Sequence, residues 1–271
     1  MAALAACGIA VTAATPGFAA GASPWVQDTQ SAFRLIAGTG KPGDTRLRAG
    51  LEIRLQPGWK TYWRYPGDSG VPPRLDFTGS DNFGSARVLY PAPHQFDDGS
   101  GTSIGYKGSV ILPLQISPRQ PGKPVTLRVK LDYAVCEKLC IPAEGRAELT
   151  IGGGASPFDA ALAAAEASVP IVAAAADIGL TARRVTGGPK PLVMVDLTAS
   201  TGAPVELFVE GPTGEWALPI PKPAQGAPAG RQHFAFELDG LPPGVDPKAR
   251  FELTFTVVEQ GRALEVKTHL D

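Results

Sequence analysis

VTLRVKLDYAVC, Val125–Cys136, alternates without a break: Val125, Leu127, Val129, Leu131, Tyr133 and Val135 point one way, and Thr126, Arg128, Lys130, Asp132, Ala134 and Cys136 the other. A period of two with β-branched and aromatic side chains on one side reads as a half-buried strand. After Cys140 the stretch AELTI, 147–151, resumes the alternation. The two strands therefore read as a hairpin with EKL, 137–139, near its tip and a cysteine on each side of it.

Working outward, the β pattern fills Phe33 to Ile151. LRAGLEIRLQPGW alternates around Leu51, Ile53 and Leu55, and SVILPLQIS offers a strand interrupted by Pro113. With 32 glycines and 27 prolines in 271 residues, the composition favours many short strands joined by tight turns. From 178 onward LTARRV, PLVMVDLTA, PVELFVEG, HFAFELDGL, RFELTFTVVE and ALEVKTHL give six further strands, separated by Gly/Pro turns. Six short strands at this spacing suggest a second β-sandwich. That half has no cysteine and no evident catalytic cluster, so it reads as a structural or docking module. Between the halves, GGGASPFDAALAAAEASVP is a glycine hinge followed by a short helix, with Ser156 as N-cap and Pro157 at the first helical position. It reads equally as an interdomain connector or as a helix packed on the edge of the first domain.

Residues 1–22 are uncharged and consist mainly of alanine and other small residues, the pattern of an export signal without its usual basic n-region. Cleavage is expected after Ala20 or Ala22. LAAC, Leu4–Cys7, resembles a lipoprotein processing box, but too few residues precede it for a signal core, which argues against lipidation of Cys7. No other run approaches the roughly 20 apolar residues needed to cross a bilayer. The mature protein is thus expected to be soluble and exported, with two cysteines in an oxidising compartment. A net charge of −1 gives no reason to expect nucleic acid as a partner.

The pair Cys136/Cys140 admits three readings. As a staple closing so short a loop it would contribute about 2 kcal/mol, a modest gain for a domain of this size. As a metal site it supplies two thiolates, and His94, His233, His269 and Met194 are all distant in sequence. Weak copper(I) binding by the reduced pair stays open. As a redox couple at an accessible hairpin tip it invites thiol exchange. Lys138, with Lys130 and Arg128 on the preceding strand, would favour a thiolate, and Glu137 would oppose it. No Gly-rich phosphate loop, G-x-S-x-G elbow or H-E-x-x-H is present. PGWKTYWRYPGDSGVPP, Pro57–Pro73, packs Trp59, Tyr62, Trp63 and Tyr65 into a strand; core and corner packing is the expected use of Trp59 and Trp63. Phe96 and Tyr106, read as loop residues flanking strands, are freer to cover a disulfide.

PGWKTYWRYPGDSGVPPRLDF, YPAPHQFD, GYKGSVILPLQI and VTLRVKLDYAVCEKLCIPAEGRAELTI, in this order, resemble the periplasmic N-terminal domain of the DsbD thiol:disulfide interchange proteins, especially the ScsB-like branch. The resemblance spans roughly Phe33 to Ile151 and is looser beyond. It implies an immunoglobulin-like fold, and hence an all-β protein of two immunoglobulin-like sandwiches joined by a short helical connector. The expected boundaries are 1–22 signal peptide, 23–152 first sandwich with the redox pair, 153–176 Gly/Ala-rich helical connector and 177–271 second sandwich. It also implies that Cys136 and Cys140 are the active pair, with Cys140 forming the mixed disulfide, and that no cofactor beyond this disulfide is needed. Asp68, Phe96, Tyr106 and Lys138 are expected to tune or shield it.

By the same resemblance the protein is a freestanding periplasmic relay. Its expected partners are a separate membrane-embedded thiol reductase and thioredoxin-like periplasmic proteins, including those of cytochrome c maturation or copper tolerance. The family's pair is more widely spaced, and the family's membrane and terminal thioredoxin-like domains are not in this sequence. Two rivals stand beside the relay: a non-enzymatic adaptor with a structural disulfide, and a periplasmic copper(I)-binding protein.

Overall fold

The computed structural model describes residues 21–270 apart from 42, 69, 98–100, 189, 199–203 and 228. The signal assigned to residues 1–22, with Cys7, lies outside the described residues except at its end. Gly21 and Ala22 there belong to the fold: Ala22 is buried and bridges Ile36, and the Gly21 carbonyl accepts the Ala37 N–H.

The alternating segments of the first half form β1 (Val26–Gln27), β2 (Ser31–Ala37), β3 (Leu47–Leu55), β4 (Lys60–Gly67), β5 (Arg74–Asp76), β6 (Phe83–Val88), β7 (His94–Asp97), β8 (Thr102–Lys107), β9 (Ser109–Pro118), β10 (Val125–Cys136) and β11 (Cys140–Ile151). They make two sheets, ordered β1-β2-β3-β9-β6 and β11-β10-β4-β8-β7, with β5 on β10. The six inward residues of β10 are all buried, together with Leu35, Leu51, Leu112 and Trp63. Each such aliphatic side chain contributes about 1.5–3 kcal/mol when fully removed from water, so this shared layer holds the sheets face to face. β9 runs through Pro113 rather than stopping there. Its neighbour β6 ends just short of that level, and the Pro113 carbonyl accepts the Leu89 N–H.

The helix is α1 (Asp159–Ala167), which starts later than Ser156 and Pro157 suggested. The Ser156 hydroxyl instead donates to the Ala37 carbonyl and accepts the Phe158 N–H. Leu162, fully buried, packs α1 against Ala22 and Ile36, and Arg48 holds Glu166 at 2.8 Å. The connector is a helix seated on the first sandwich.

The second half forms β12 (Ile171–Ala173), β13 (Thr181–Val185), β14 (Leu192–Thr198), β15 (Val205–Glu210), β16 (Lys222–Ala224), β17 (Arg231–Glu237), β18 (Phe251–Glu259) and β19 (Arg262–Leu270). Its sheets are β12-β19-β18-β15 and β13-β14-β17-β16, around Val193, Val195, Leu207, Leu253, Phe255 and Val266. The six expected strands are present, and the short edges β12 and β16 complete them.

The sandwiches meet along one face of β15, with Ile220, Val258 and Ala263 joining the same contact. Leu207 and Val209 point into their own core, which leaves Glu206, Phe208 and Glu210 to point at the first sandwich. The Phe208 ring lies 5.7 Å from that of Trp63, and Glu210 takes the Arg64 guanidinium at 2.7 Å. Arg64 also pairs with Glu265, and the Tyr65 hydroxyl donates to the Leu218 carbonyl.

Candidate functional site

β10 ends at Cys136 and β11 begins at Cys140, and the two are opposite each other at the turn end of a ladder twelve pairs long. They form a disulfide with Cα atoms 4.1 Å apart. The two sulfurs have different surroundings. Cys136 is 5% exposed, and Cys140 is exposed beside Glu137, Lys138 and Leu139, all three of them exposed.

Strand β4 supplies the other wall. Cys136 is opposite Lys60, so their side chains share a face of the sheet; Lys60 is 4% exposed. Burial, and then the neighbouring charge of Lys107, hold the Lys60 ammonium below the usual lysine range. Two residues on, Tyr62 has the same orientation, and its hydroxyl lies 3.0 Å from Cys140 Sγ. A disulfide sulfur carries no proton, so the hydroxyl donates. Desolvation pushes the Tyr62 phenol up, which keeps it a donor in mildly alkaline solution. Tyr62, Ala134 and Cys136 form a small buried cluster on the side of the sheet away from the main core.

Two glycines make room for this layer. A Cβ at Gly105 would fall 1.9 Å from the Thr61 carbonyl oxygen, so β8 approaches β4 only as glycine. A Cβ at Gly70 would fall 2.6 Å from the Tyr62 ring, so the turn after β4 lies directly on that ring.

Chemically, this is an accessible sulfur whose leaving partner is buried, with a hydroxyl on one sulfur and a lysine across from the other. Residues 24–151 match the family model described as thiol:disulfide interchange protein DsbD, N-terminal. The first sandwich belongs to this DsbD N-terminal family. The crystal structure of the N-terminal periplasmic domain of ScsB from Proteus mirabilis superposes with a TM-score of 0.72 at 20% identity, over 92% of this chain and 98% of that one. The shared fold therefore includes the second sandwich and not only the DsbD-type domain. A chimeric titin Z1Z2 functionalized with a KLER exogenous peptide from decorin also matches, at 11% identity and a TM-score of 0.20, too low to relate the folds. No curated protein matches the chain.

The other residues expected around the DsbD-type disulfide are placed differently from one another. Phe96 and Tyr106 lie in strands, not in loops. Tyr106, on β8, is part of the main core, and its hydroxyl donates to the Pro91 carbonyl at 2.8 Å. Phe96, half-buried on β7, faces the cysteine-bearing side: the Lys107 ammonium lies 4.5 Å from its ring centre and that of Lys60 5.9 Å. Such contacts fix the ring over the two lysines. Asp68 is exposed and accepts the Thr102 N–H at 3.1 Å, joining β4 to β8 beyond the irregularity between Tyr62 and Gly67. Lys138 is exposed in the tip. His94 lies on β7, and His233, His269 and Met194 lie on the second sandwich. Among the described residues no three His, Cys, Asp or Glu side chains gather as a metal site.

Lys60 and Tyr62 are the site residues that the sequence reading missed. WKTYW carries their signal, since period two puts Lys60 and Tyr62 on one face and Thr61 and Trp63 on the other. Which face meets the cysteines depends on β4 pairing with β10, a contact between segments over 70 residues apart.

Proposed function

We propose that the protein is a periplasmic thiol:disulfide oxidoreductase that relays electrons through Cys136/Cys140. Electrons come from a separate membrane-embedded thiol reductase and go to thioredoxin-like periplasmic partners. The observation that carries this reading is the asymmetry of the disulfide, with Cys140 open and hydrogen-bonded by Tyr62 and Cys136 buried opposite Lys60.

In the loading step a donor thiolate attacks Cys140 Sγ. A donor–Cys140 bond forms, the Cys136–Cys140 bond breaks, and Cys136 leaves as a thiolate on the lysine side. The donor's second thiolate then attacks its own sulfur in the mixed disulfide and releases the Cys140 thiolate, which accepts the Tyr62 hydrogen bond. Two electrons have entered the pair, and the donor ends as a disulfide. Delivery runs in the opposite sense. The Cys140 thiolate attacks the partner's disulfide, and Cys136 resolves the mixed disulfide, so the partner leaves as a dithiol. The disulfide itself is the redox group, and the scheme uses no further cofactor.

The test is the reduction potential of the pair, by equilibration in thiol buffers and alkylation of free thiols. A readily exchanging couple well above about −300 mV is expected. A potential below that, with resistance to thiols in the folded state, would leave a structural bridge and favour an adaptor. In the relay, Cys140→Ser abolishes transfer to any partner, and Cys136→Ser leaves the mixed disulfide on Cys140 unresolved.

A further inference from the structure

The edge strand β7 pairs with β8 on one side only, which leaves the Gln95 N–H pointing outward. That N–H donates at 2.9 Å to Oε1 of Glu206, on β15 of the second sandwich. The other oxygen of the same carboxylate lies 3.5 Å from His94 Nδ1. One carboxylate of the second sandwich thus takes the Gln95 N–H and lies beside His94, two successive residues of the strand that carries Phe96. Phe96 in turn lies over Lys107 and Lys60, and Lys60 is opposite Cys136. The contact is not incidental to how the sandwiches pack. Phe208 and Glu210, the next two residues on the same face of β15, make the interface with Trp63 and Arg64 on β4.

We infer that Glu206 is a positioning residue for thiol exchange: the second sandwich holds β7 so that Phe96 stays over the cysteine-bearing face and limits which thiolates reach the pair. This inference rests on the relay reading for its consequence, but the hold on β7 is independent of it.

The experiment uses the full chain and dithiothreitol as the attacking thiol. Glu206→Ala is expected to speed amide hydrogen exchange across residues 94–97 by about tenfold or more, the scale set by loss of a charge-assisted hydrogen bond to an edge N–H. It is also expected to raise the rate of reduction by dithiothreitol several-fold. Glu206→Gln keeps an oxygen acceptor for Gln95 and should return both readings toward wild type. Phe96→Ala alone should raise the reduction rate as much as Glu206→Ala does, and the double variant should be no faster than either, because both act through one ring. Unchanged exchange at 94–97 in Glu206→Ala overturns the inference. So does a wild-type reduction rate in Phe96→Ala, or full additivity in the double variant. If the wild-type disulfide resists dithiothreitol altogether, the relay reading fails, and the amide exchange still decides whether Glu206 holds β7.

Discussion

The two sandwiches are built alike, from two facing sheets around an aliphatic core, but they differ on the side of the sheet that faces away from that core. In the second sandwich this outer side is buried only at the joint, where Phe208 and its neighbour Thr256 lie, and elsewhere carries ordinary surface pairs, such as Lys267 with Glu252 across β18 and β19, at 59% and 43% exposure. In the first, the outer side of β10, β4 and β8 is a second buried layer: Lys60, Tyr62, Ser103, Ala134 and Cys136 are all less than a tenth exposed. Burying a lysine and a polar phenol is unfavourable unless the protein supplies partners for them. The disulfide is therefore seated in a polar layer prepared by β4, whereas a simple hairpin staple would not need one.

The largest effect expected to sharpen this contrast is alkaline. All five tyrosines of the chain, at 62, 65, 90, 106 and 133, lie in the first sandwich, and desolvation raises each phenol. The unfolded phenols release their protons near pH 10 while the folded ones retain theirs, so the unfolded state binds fewer protons and stability falls as pH rises above about 10. Below that pH these groups contribute no pH dependence. Tyrosinate absorbance should appear only together with unfolding of the first sandwich, while Trp216, buried in the tyrosine-free second sandwich, should report a later transition. Tyrosinate formation in the intact fold near pH 10 would contradict the burial argument.

Next comes the joint between the two halves. Arg64→Met leaves Glu210 and Glu265 facing each other, and it should lower stability by about 2–4 kcal/mol, just under the range for breaking a fully buried pair because the arginine is a quarter exposed. Lys267→Ala, which breaks a pair on the second sandwich's open side, is the matched control and should leave the urea midpoint unchanged within error. Equal effects from the two variants would erase the distinction between joint and surface.

Smaller still are the effects inside the site. Tyr62→Phe removes the donor to Cys140 Sγ. It should destabilise the thiolate by about 0.5–1.5 kcal/mol and lower the reduction potential by roughly 10–30 mV. Lys60→Met should raise the Cys136 thiol pKa, read by thiolate absorbance in the Cys140→Ser background, and Lys60→Arg should restore it. If both substitutions leave potential and titration at wild-type values, the outer layer is packing alone.

Sequence pattern made the hairpin legible because β10 is buried on one face only from Val125 to Tyr133, so its alternation there is uninterrupted. It made the cysteines legible because they flank the only tip in that ladder. Phe96 and Tyr106 were misplaced into loops for a physical reason. GSGTSIGYKG looks like turn chemistry, yet Gly105 is there because β8 passes too close to β4 for any side chain. The seating of α1 was ambiguous because a single leucine, Leu162, makes its buried contact among alanines that give no periodic signal. The interface on β15 had a signal that was not used. VELFVE places Phe208 on the face opposite Leu207 and Val209, and an aromatic residue on the outer face of an edge strand marks a surface that something covers.

The twelve-pair ladder beneath the cysteines has a consequence for timing. Eleven of its pairs do not depend on the sulfur bridge, so opening the bridge leaves the two thiols tethered side by side at a high effective concentration. Any complex with a partner through Cys140 is therefore in continuous competition with ring closure by Cys136. In the proposed relay its lifetime would be set by the geometry of this hairpin, and productive encounters would be brief.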